Sequence, residues 1–539
     1  MKTIERIPDD VIVLTDADTF AEHYNAVIPE NVAEKQEKHD AKVRFEQGKS
    51  GLSVFLTAKT AHPTYVVLRW NERADGKTYV LGDAWERAYG LLGWSPLSGE
   101  RFLPWYFLSA DESGETVGCG VKVRPASFVS FCRDASGISA WFDVRNGGVG
   151  VALNGRELCV GTVVCRRYSG MSAFRAGQAF CKVLCDDPIL PKEAVYGGNN
   201  WYYAYGKSSR EEILEDAKLI SRLSAGNAVR PYMVIDDGWQ PNPCAGPWVP
   251  NEKFGDMKTL ASEMENAGAK PGIWVRLLHD DTALEAHPEW RLQPHGEVKN
   301  NLDPSHPGVL EYVRETVCRF RGWGYKLLKH DYTTFDLFGV YGHELNGTVN
   351  PIGNWAFFDR TKTTAEIVSE LYRVIREAAG DMVIIGCNTV SHLCAGLCEV
   401  NRVGDDTSGK YWTRTRVLGV NSLAFRLMQN RAFYMVDADC VGILGHNLPW
   451  HLNSRWMRLL AASGTPLFLS CEQGVLTEEQ EKEVADCLAR SSVQNDDAEP
   501  LDWEYNTTPQ TWSINGKTET FDWSEGVYPA LLKRRHQPI

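Results

Sequence analysis

The sequence predicts an α/β protein: a (β/α)8 TIM barrel preceded by an N-terminal β-sandwich and followed by a short C-terminal extension. Three observations carry this. Between about residues 10 and 185, short runs alternate apolar and polar side chains, as in Thr64-Tyr65-Val66-Val67-Leu68-Arg69-Trp70 and Ala126-Ser127-Phe128-Val129-Ser130-Phe131, with Gly, Asp and Asn between them. That punctuation is the pattern of antiparallel strands and turns. After Asp186-Asp187-Pro188-Ile189-Leu190-Pro191, a candidate linker, short apolar runs alternate instead with amphipathic stretches, the rhythm of a parallel sheet with crossover helices. Finally, eight candidate strands follow one another, the number that closes a barrel. They lie near Trp201, at Tyr232 to Ile235, Gly272 to Leu277, Tyr325 to Leu328, Met382 to Ile385, Val400 to Val403, Phe433 to Val436 and Pro466 to Leu469.

At 539 residues the chain exceeds one typical core, and two or three units are expected. The limits are placed at 1–187 for the sandwich, 188–475 for the barrel, and 476–539 for a C-terminal helix and short extension. The barrel span fits the usual length of roughly 250 residues, with a doubly wound open sheet as the alternative. Its first crossover helix has a legible start: in Ser209-Arg210-Glu211-Glu212, Ser209 is placed to cap and Glu212 to complete a capping box. From Asp496 the chain is rich in Trp, Thr, Asn and Pro, and supplies either a few β-strands or a packed tail.

Composition narrows the function. A net charge of -13 and a pI near 5.6 leave no basic excess for a phosphate backbone, which argues against nucleic acid as a partner. The first ten residues carry no apolar signal core, and no apolar stretch reaches the roughly 20 residues a membrane span needs; a cytoplasmic protein is the expectation. The 14 cysteines fall mostly within apolar runs, so buried reduced thiols are expected rather than zinc sites or a disulfide framework. His279, Asp280, Asp281, His287, His330 and His392 form no HxH or HExxH pattern, and no GxGxxG or Walker loop occurs, so neither metal nor organic cofactor is expected. The 18 tryptophans fill a core or stack on sugar rings.

Barrel chemistry sits at the C-terminal ends of strands, and four acidic sites follow apolar runs: Asp236-Asp237-Gly238-Trp239, Lys329-His330-Asp331, Arg402-Val403-Gly404-Asp405-Asp406 and Asp437-Ala438-Asp439. Lys329 and Asp331, two apart, share a strand face, so the ammonium is expected beside the carboxylate, as a glycosidase nucleophile or as a structural ion pair. Asp405 and Asp406 repel each other. One is expected to have its pKa raised as a general acid while Arg402 holds the other, unless both belong to a turn starting a helix at Thr407. Asp236 and Asp237 offer acceptors for vicinal hydroxyls, with Trp239 as an aromatic plane. Asp437 and Asp439 read as structural support.

In order and spacing these motifs resemble the family 36 α-galactosidases of glycoside hydrolases, over about residues 190 to 475. Asn199-Asn200-Trp201 resembles the first-strand motif, Asp236-Asp237-Gly238-Trp239 the second, and Pro271-Gly272-Ile273-Trp274 the third. Lys329-His330-Asp331 is similar to the nucleophile strand, and Gly386-Cys387-Asn388 with Arg402 to Asp406 resembles the stretch ending in the acid/base. The resemblance implies a retaining double displacement without cofactor, Asp331 as nucleophile and Asp406 as acid/base, their carboxyl groups about 5 Å apart. It implies that Asp236, Asp237, Lys329, Cys387 and Arg402 bind the sugar and that Trp201 and Trp274 wall its subsite. The partner is then a small oligosaccharide or glycoside, and relatives often form homo-oligomers.

The chain departs from the family pattern in places near the sugar. His330, Arg276 and Asn388 differ from the usual residues, and no aromatic residue lent by the N-terminal domain is identifiable. Another α-linked sugar therefore stays open, such as α-N-acetylgalactosamine or an acidic sugar read by Arg276. A raffinose-synthase-type transglycosylase and a carbohydrate-binding protein without turnover are the remaining alternatives.

Overall fold

The structure is a computed structural model that describes residues 6–18, 39–74, 77–345, 349–445 and 448–525. Residues 1–5 of the N-terminal reading and 526–539 of the predicted extension lie outside these. The N-terminal region forms two antiparallel sheets. One has five strands in the order Asp10–Thr15, Pro63–Asn71, Gly137–Asp143, Phe128–Arg133 and Ser98–Pro104; the other has seven and is centred on Glu157–Tyr168 and Thr116–Val121. Alternation explains their packing, because every second side chain reaches the same face. Leu52, Val54 and Leu56 of one sheet and Val66, Leu68 and Trp70 of the other are fully buried in one shared apolar cluster.

One element in this region was not anticipated. Residues 173–184, inside the stretch read as strands, form the helix Ala173–Leu184, capped by Ser172, whose Oγ accepts from Arg175 N at 3.2 Å. Its buried residues, including Ala173, Phe174, Gly177, Phe180, Cys181 and Leu184, recur at helical rather than strand spacing.

Beyond it lies a nine-stranded parallel sheet. Seven strands run in sequence order from Tyr196–Asn199 through Tyr232–Ile235, Lys270–Val275, Leu327–His330, Val383–Gly386 and Val400–Arg402 to the edge strand Met435–Asp437. On the other side of Tyr196–Asn199 lie Leu467–Cys471 and the opposite edge, Val441–Ile443. The two edge strands are joined by only Ala438–Cys440, a link that spans at most about 14 Å, so the sheet is strongly curled. At the break Asp439 adopts φ 87°, a conformation unusual for a residue with a Cβ. It is held there by Arg402 at 2.9 Å, Thr407 N at 2.6 Å and the Tyr202 hydroxyl.

Two strand positions differ from the sequence reading. The first strand ends at Asn199, and Trp201 opens a short helix, Trp201–Ala204; the seventh is interrupted rather than continuous. Between strands, helices pack on the outside. The capping box at Ser209 and Glu212 is present, with Ser209 N donating to Glu212 Oε2 at 2.8 Å and Glu212 N to Ser209 Oγ at 3.4 Å.

After the helix Glu478–Ser491, the described part of the extension is a three-stranded antiparallel sheet of Ala498–Pro500, Thr511–Ile514 and Lys517–Thr520. The expectation of reduced thiols as the default is corrected at one place among the described residues: Cys394 and Cys398 form a disulfide, because the helical turn Ser391–Cys394 and the residues after it bring positions four apart together. No helix among the described residues is long and apolar enough to cross a membrane.

Candidate active site

The parallel strands direct one set of side chains to their C-terminal ends. Across the ladder Trp274 pairs with Lys329, so both present the same face, and Asp331 follows two residues after Lys329. Asp331 is partly exposed and doubly oriented. Trp274 Nε1 donates to its Oδ2 at 3.1 Å, and Tyr332 N donates to its Oδ1 at 2.7 Å.

The predicted partner of Lys329 is corrected. Its ammonium donates to Asp236 Oδ2 at 2.6 Å, on the next strand but one, rather than to Asp331. Burial opposes its charge, but Asp236, Cys387, Asp331 and Cys440 together outweigh burial, and the ammonium is held above its ordinary range. Asp236 also accepts from Asn199 Nδ2 at 2.7 Å and, through its Oδ1, from Asp237 N at 2.9 Å. Cys387, buried at the end of Val383–Gly386, has its thiol pushed well up, by burial first and then by the charge of Asp331, against Arg402, Lys329 and Arg87. Arg402 reaches within 4.0 Å of its sulfur. One electrostatic cluster thus unites Asp236, Lys329, Asp331, Cys387, Arg402 and Asp406.

The Asp405–Asp406 pair is arranged in the opposite sense to the expectation. Arg402 binds Asp406, not Asp405, with Nη2 at 3.0 Å from Oδ1, and Arg87 Nη1 approaches the same oxygen at 3.3 Å. Asp405 pairs instead with Arg414 at 2.7 Å, at the start of the π-helical stretch Arg414–Val420. Burial opposes ionisation of Asp406, but Arg402, Arg87, Arg414 and Lys329 outweigh it and bring its carboxyl down to about 2. Cations close around the pair win over mutual repulsion. Thr407 begins no helix.

Other expected site residues have different roles. Trp239 is fully buried against Trp248, Phe320 and Trp323, and its Nε1 donates to Trp274 O at 2.9 Å, so its indole faces the core and supports Trp274. Gly238 turns the chain there with φ 109°, where a Cβ would lie 2.5 Å from Gly206 Cα. Asp237 accepts from Gln240 Nε2 at 2.5 Å, Cys244 N at 3.0 Å and Cys244 Sγ at 2.8 Å within its own loop. Arg276 is committed to Asp336, with contacts of 2.5 to 3.1 Å, and its guanidinium lies 4.3 Å from the Tyr332 ring centre. An internal carboxylate therefore neutralises the residue expected to read an acidic sugar. Trp201, half-buried, stands at the end of the first strand with Tyr205 5.2 Å away between ring centres.

The sequence reading missed what the N-terminal region contributes. Its loop Asp83 to Leu92 packs on the ends of the curled sheet: Ala88 N donates to Val403 O at 2.7 Å, Ser391 N to Trp85 O at 2.8 Å and Ser422 Oγ to Ala88 O at 2.9 Å. Glu86, fully buried, accepts from Asn388 Nδ2 and from Arg87 Nε. The signal was a charged Glu86-Arg87 pair between Trp85 and Tyr89 in an otherwise apolar run.

Two histidines of this region give a testable pH dependence. Burial lowers His330 to about 4, against a raising effect of Asp331, and lowers His392 to about 3. In the unfolded chain both titrate near 6.5, so between that value and the folded ones the unfolded state binds more protons. Their contribution is present above about pH 6.5 and is lost as pH falls. Asp216, raised to about 6 by burial, works the other way. Expected is a loss on the order of 2 kcal/mol per histidine between pH 7 and 5, read as the urea midpoint. His392→Phe should shrink that pH difference; an unchanged difference would count against the assignment.

Among the described residues no group of three His, Cys, Asp or Glu is placed to hold a metal ion. No family profile and no curated protein matches the sequence. The fold does have counterparts among solved structures. It is similar to an α-galactosidase from Thermus thermophilus in complex with p-nitrophenyl α-D-galactopyranoside, with TM-score 0.62 and 16% identity over 89% of this chain and 96% of that one. It is also similar to the GH36 α-galactosidase AgaA of Geobacillus stearothermophilus in complex with stachyose, with TM-score 0.59 and 14% identity over 89% and 70% of the two chains. A GH31 dextranase from Flavobacterium johnsoniae follows at TM-score 0.53 and 12% identity over 90% and 68%. The chain has the fold of the GH36 α-galactosidases.

Proposed function

We propose that a chain with this fold and this arrangement of carboxylates is a retaining α-glycoside hydrolase acting on α-galactosides. In this reading the curled sheet is a (β/α)8 barrel with an interrupted seventh strand at residues 188–475, the two N-terminal sheets are a β-sandwich at 1–187, and 476–539 is an accessory helix and extension. The observation that carries the proposal is the placement of Asp331 and Asp406 at the ends of alternate strands, with the Lys329–Asp236 ion pair beside them. The sugar preference rests on the galactosides bound by the Thermus and Geobacillus proteins.

The chemistry follows from the roles available. Arg402 and Arg87 hold Asp406 ionised in the free protein, so in this reading it first takes up a proton from solvent. Asp331, oriented by Trp274 and Tyr332, then attacks the anomeric carbon as Asp406 passes that proton to the departing oxygen. A covalent glycosyl-enzyme results. Asp406, now ionised, takes a proton from water, which attacks the same carbon and frees Asp331. Lys329 and Asp236 hold hydroxyls at the far end of the ring and Trp201 covers one of its faces, while the buried Trp274 acts through its hydrogen bond to Asp331. No step needs a cofactor.

A proton NMR time course with 4-nitrophenyl α-galactoside tests this. α-Galactose is expected to appear first, with the β-anomer growing only by mutarotation. β-Galactose appearing first would refute retention, and absence of turnover on this glycoside alongside turnover of another α-glycoside would refute the sugar.

A further inference from the structure

We propose that Arg87, supplied by the N-terminal loop, is a positioning residue for Asp406: it anchors Oδ1 together with Arg402 and thereby sets the pH above which proton delivery to the leaving group fails. The inference rests on the glycosidase reading, in which Asp406 is the acid/base. Both guanidinium contacts fall on Oδ1, at 3.0 Å from Arg402 and 3.3 Å from Arg87. Among the described residues no hydrogen bond engages Oδ2, so Oδ2 is the oxygen that exchanges the proton. In the first step the Oδ2–H bond breaks, an O–H bond forms on the leaving alcohol, and the electrons of the broken C1–O bond pass to that oxygen.

The position of Arg87 is built into the fold. The backbone of its neighbours is tied to the end of the strand Val400–Arg402 and to the helix Asn421–Arg426: Ala88 N to Val403 O, Arg426 Nη1 to Glu86 O at 2.5 Å, and Leu92 N to Asn421 Oδ1 at 3.3 Å. Its own guanidinium is buried, with Nε 3.3 Å from Glu86 Oε1 and its centre 5.5 Å from the Tyr89 ring. This loop therefore brings a cation from one region of the chain to the reacting carboxylate of another.

Asp406 also faces other charged groups. On its own strand end are Arg402, which bridges to Asp439, and Asp405, which is paired to Arg414; Lys329 comes from the next strand but one, Tyr202 from the helix after the first strand, and Cys387 from the end of the strand between. Within this set Arg87 is the contact that comes from the N-terminal region. Removing its charge leaves Arg402 in place, so the titration of Asp406 moves without loss of its main anchor.

The test uses the full chain labelled with [γ-13C]aspartate, its Asp406 signal assigned with Asp406→Asn, in wild type, Arg87→Gln and Arg87→Lys. An upward shift of the Asp406 titration of about one pH unit or more is expected in Arg87→Gln, with Arg87→Lys close to wild type. In parallel, the basic limb of kcat/KM for methyl α-galactoside, whose leaving group needs a proton, should move up by a similar amount in Arg87→Gln. The limb for 4-nitrophenyl α-galactoside should move little. Coincident titrations in all three proteins would overturn the proposal while leaving the glycosidase reading intact. The expected NMR shift without turnover of any glycoside would instead refute the glycosidase reading and with it the role in proton delivery.

Discussion

Asp331→Asn is expected to lower kcat on an α-galactoside by at least about ten-thousand-fold, while the fold and sugar binding persist. The amide keeps the shape of the carboxylate but cannot form the glycosyl-enzyme, and its Oδ1 can still accept from Tyr332 N. Trp274 Nε1, at 3.1 Å from Oδ2, would then face an NH2 group or a rotated amide, so a small rise in KM is expected beside the collapse of kcat. Asp331→Ala opens the same face to an external nucleophile. With sodium azide it should convert 4-nitrophenyl α-galactoside to the β-glycosyl azide, identified by NMR. Unchanged kcat in Asp331→Asn would remove Asp331 from the mechanism.

Arg426→Met is expected to destabilise the protein by about 3–5 kcal/mol, because it leaves a buried charge without its partner. Arg426 and Asp83 are essentially inaccessible to solvent and lie 2.9 Å apart. Asp83 also accepts from Trp105 Nε1 at 2.9 Å and from Gln429 Nε2 at 2.8 Å, contacts that do not neutralise it. The pair fixes the start of the loop that carries Arg87, so the stability loss should be accompanied by an upward move of the Asp406 titration. The urea midpoint measures the first effect. Adding Asp83→Asn to Arg426→Met should recover part of the loss, since the unpaired charge is then gone; a double variant no more stable than the single one would place the cost in packing instead.

Much of this protein is determined by local sequence pattern. Alternation in Thr64 to Trp70, within Pro63–Asn71, was enough to read an antiparallel strand with a buried face, because period-two burial is a property of the strand itself. Ser209 and Glu212 marked a helix start for the same reason, since a cap satisfies backbone donors only three residues away. The acidic residues after apolar runs, Asp236, Asp331 and Asp406, marked the C-terminal end of the parallel sheet, because that end is set by strand direction alone.

What only the tertiary structure decided is which charge meets which. Lys329 stands two residues from Asp331 yet pairs with Asp236; Arg402 takes Asp406 and leaves Asp405 to Arg414; Arg276 is neutralised by Asp336; and Arg87, more than three hundred residues away in sequence, closes on Asp406. Spacing along a strand fixes the face a side chain occupies. It does not fix the partner, because a long cationic side chain reaches several angstroms across the end of a curled sheet and settles where buried carboxylates lower its energy most.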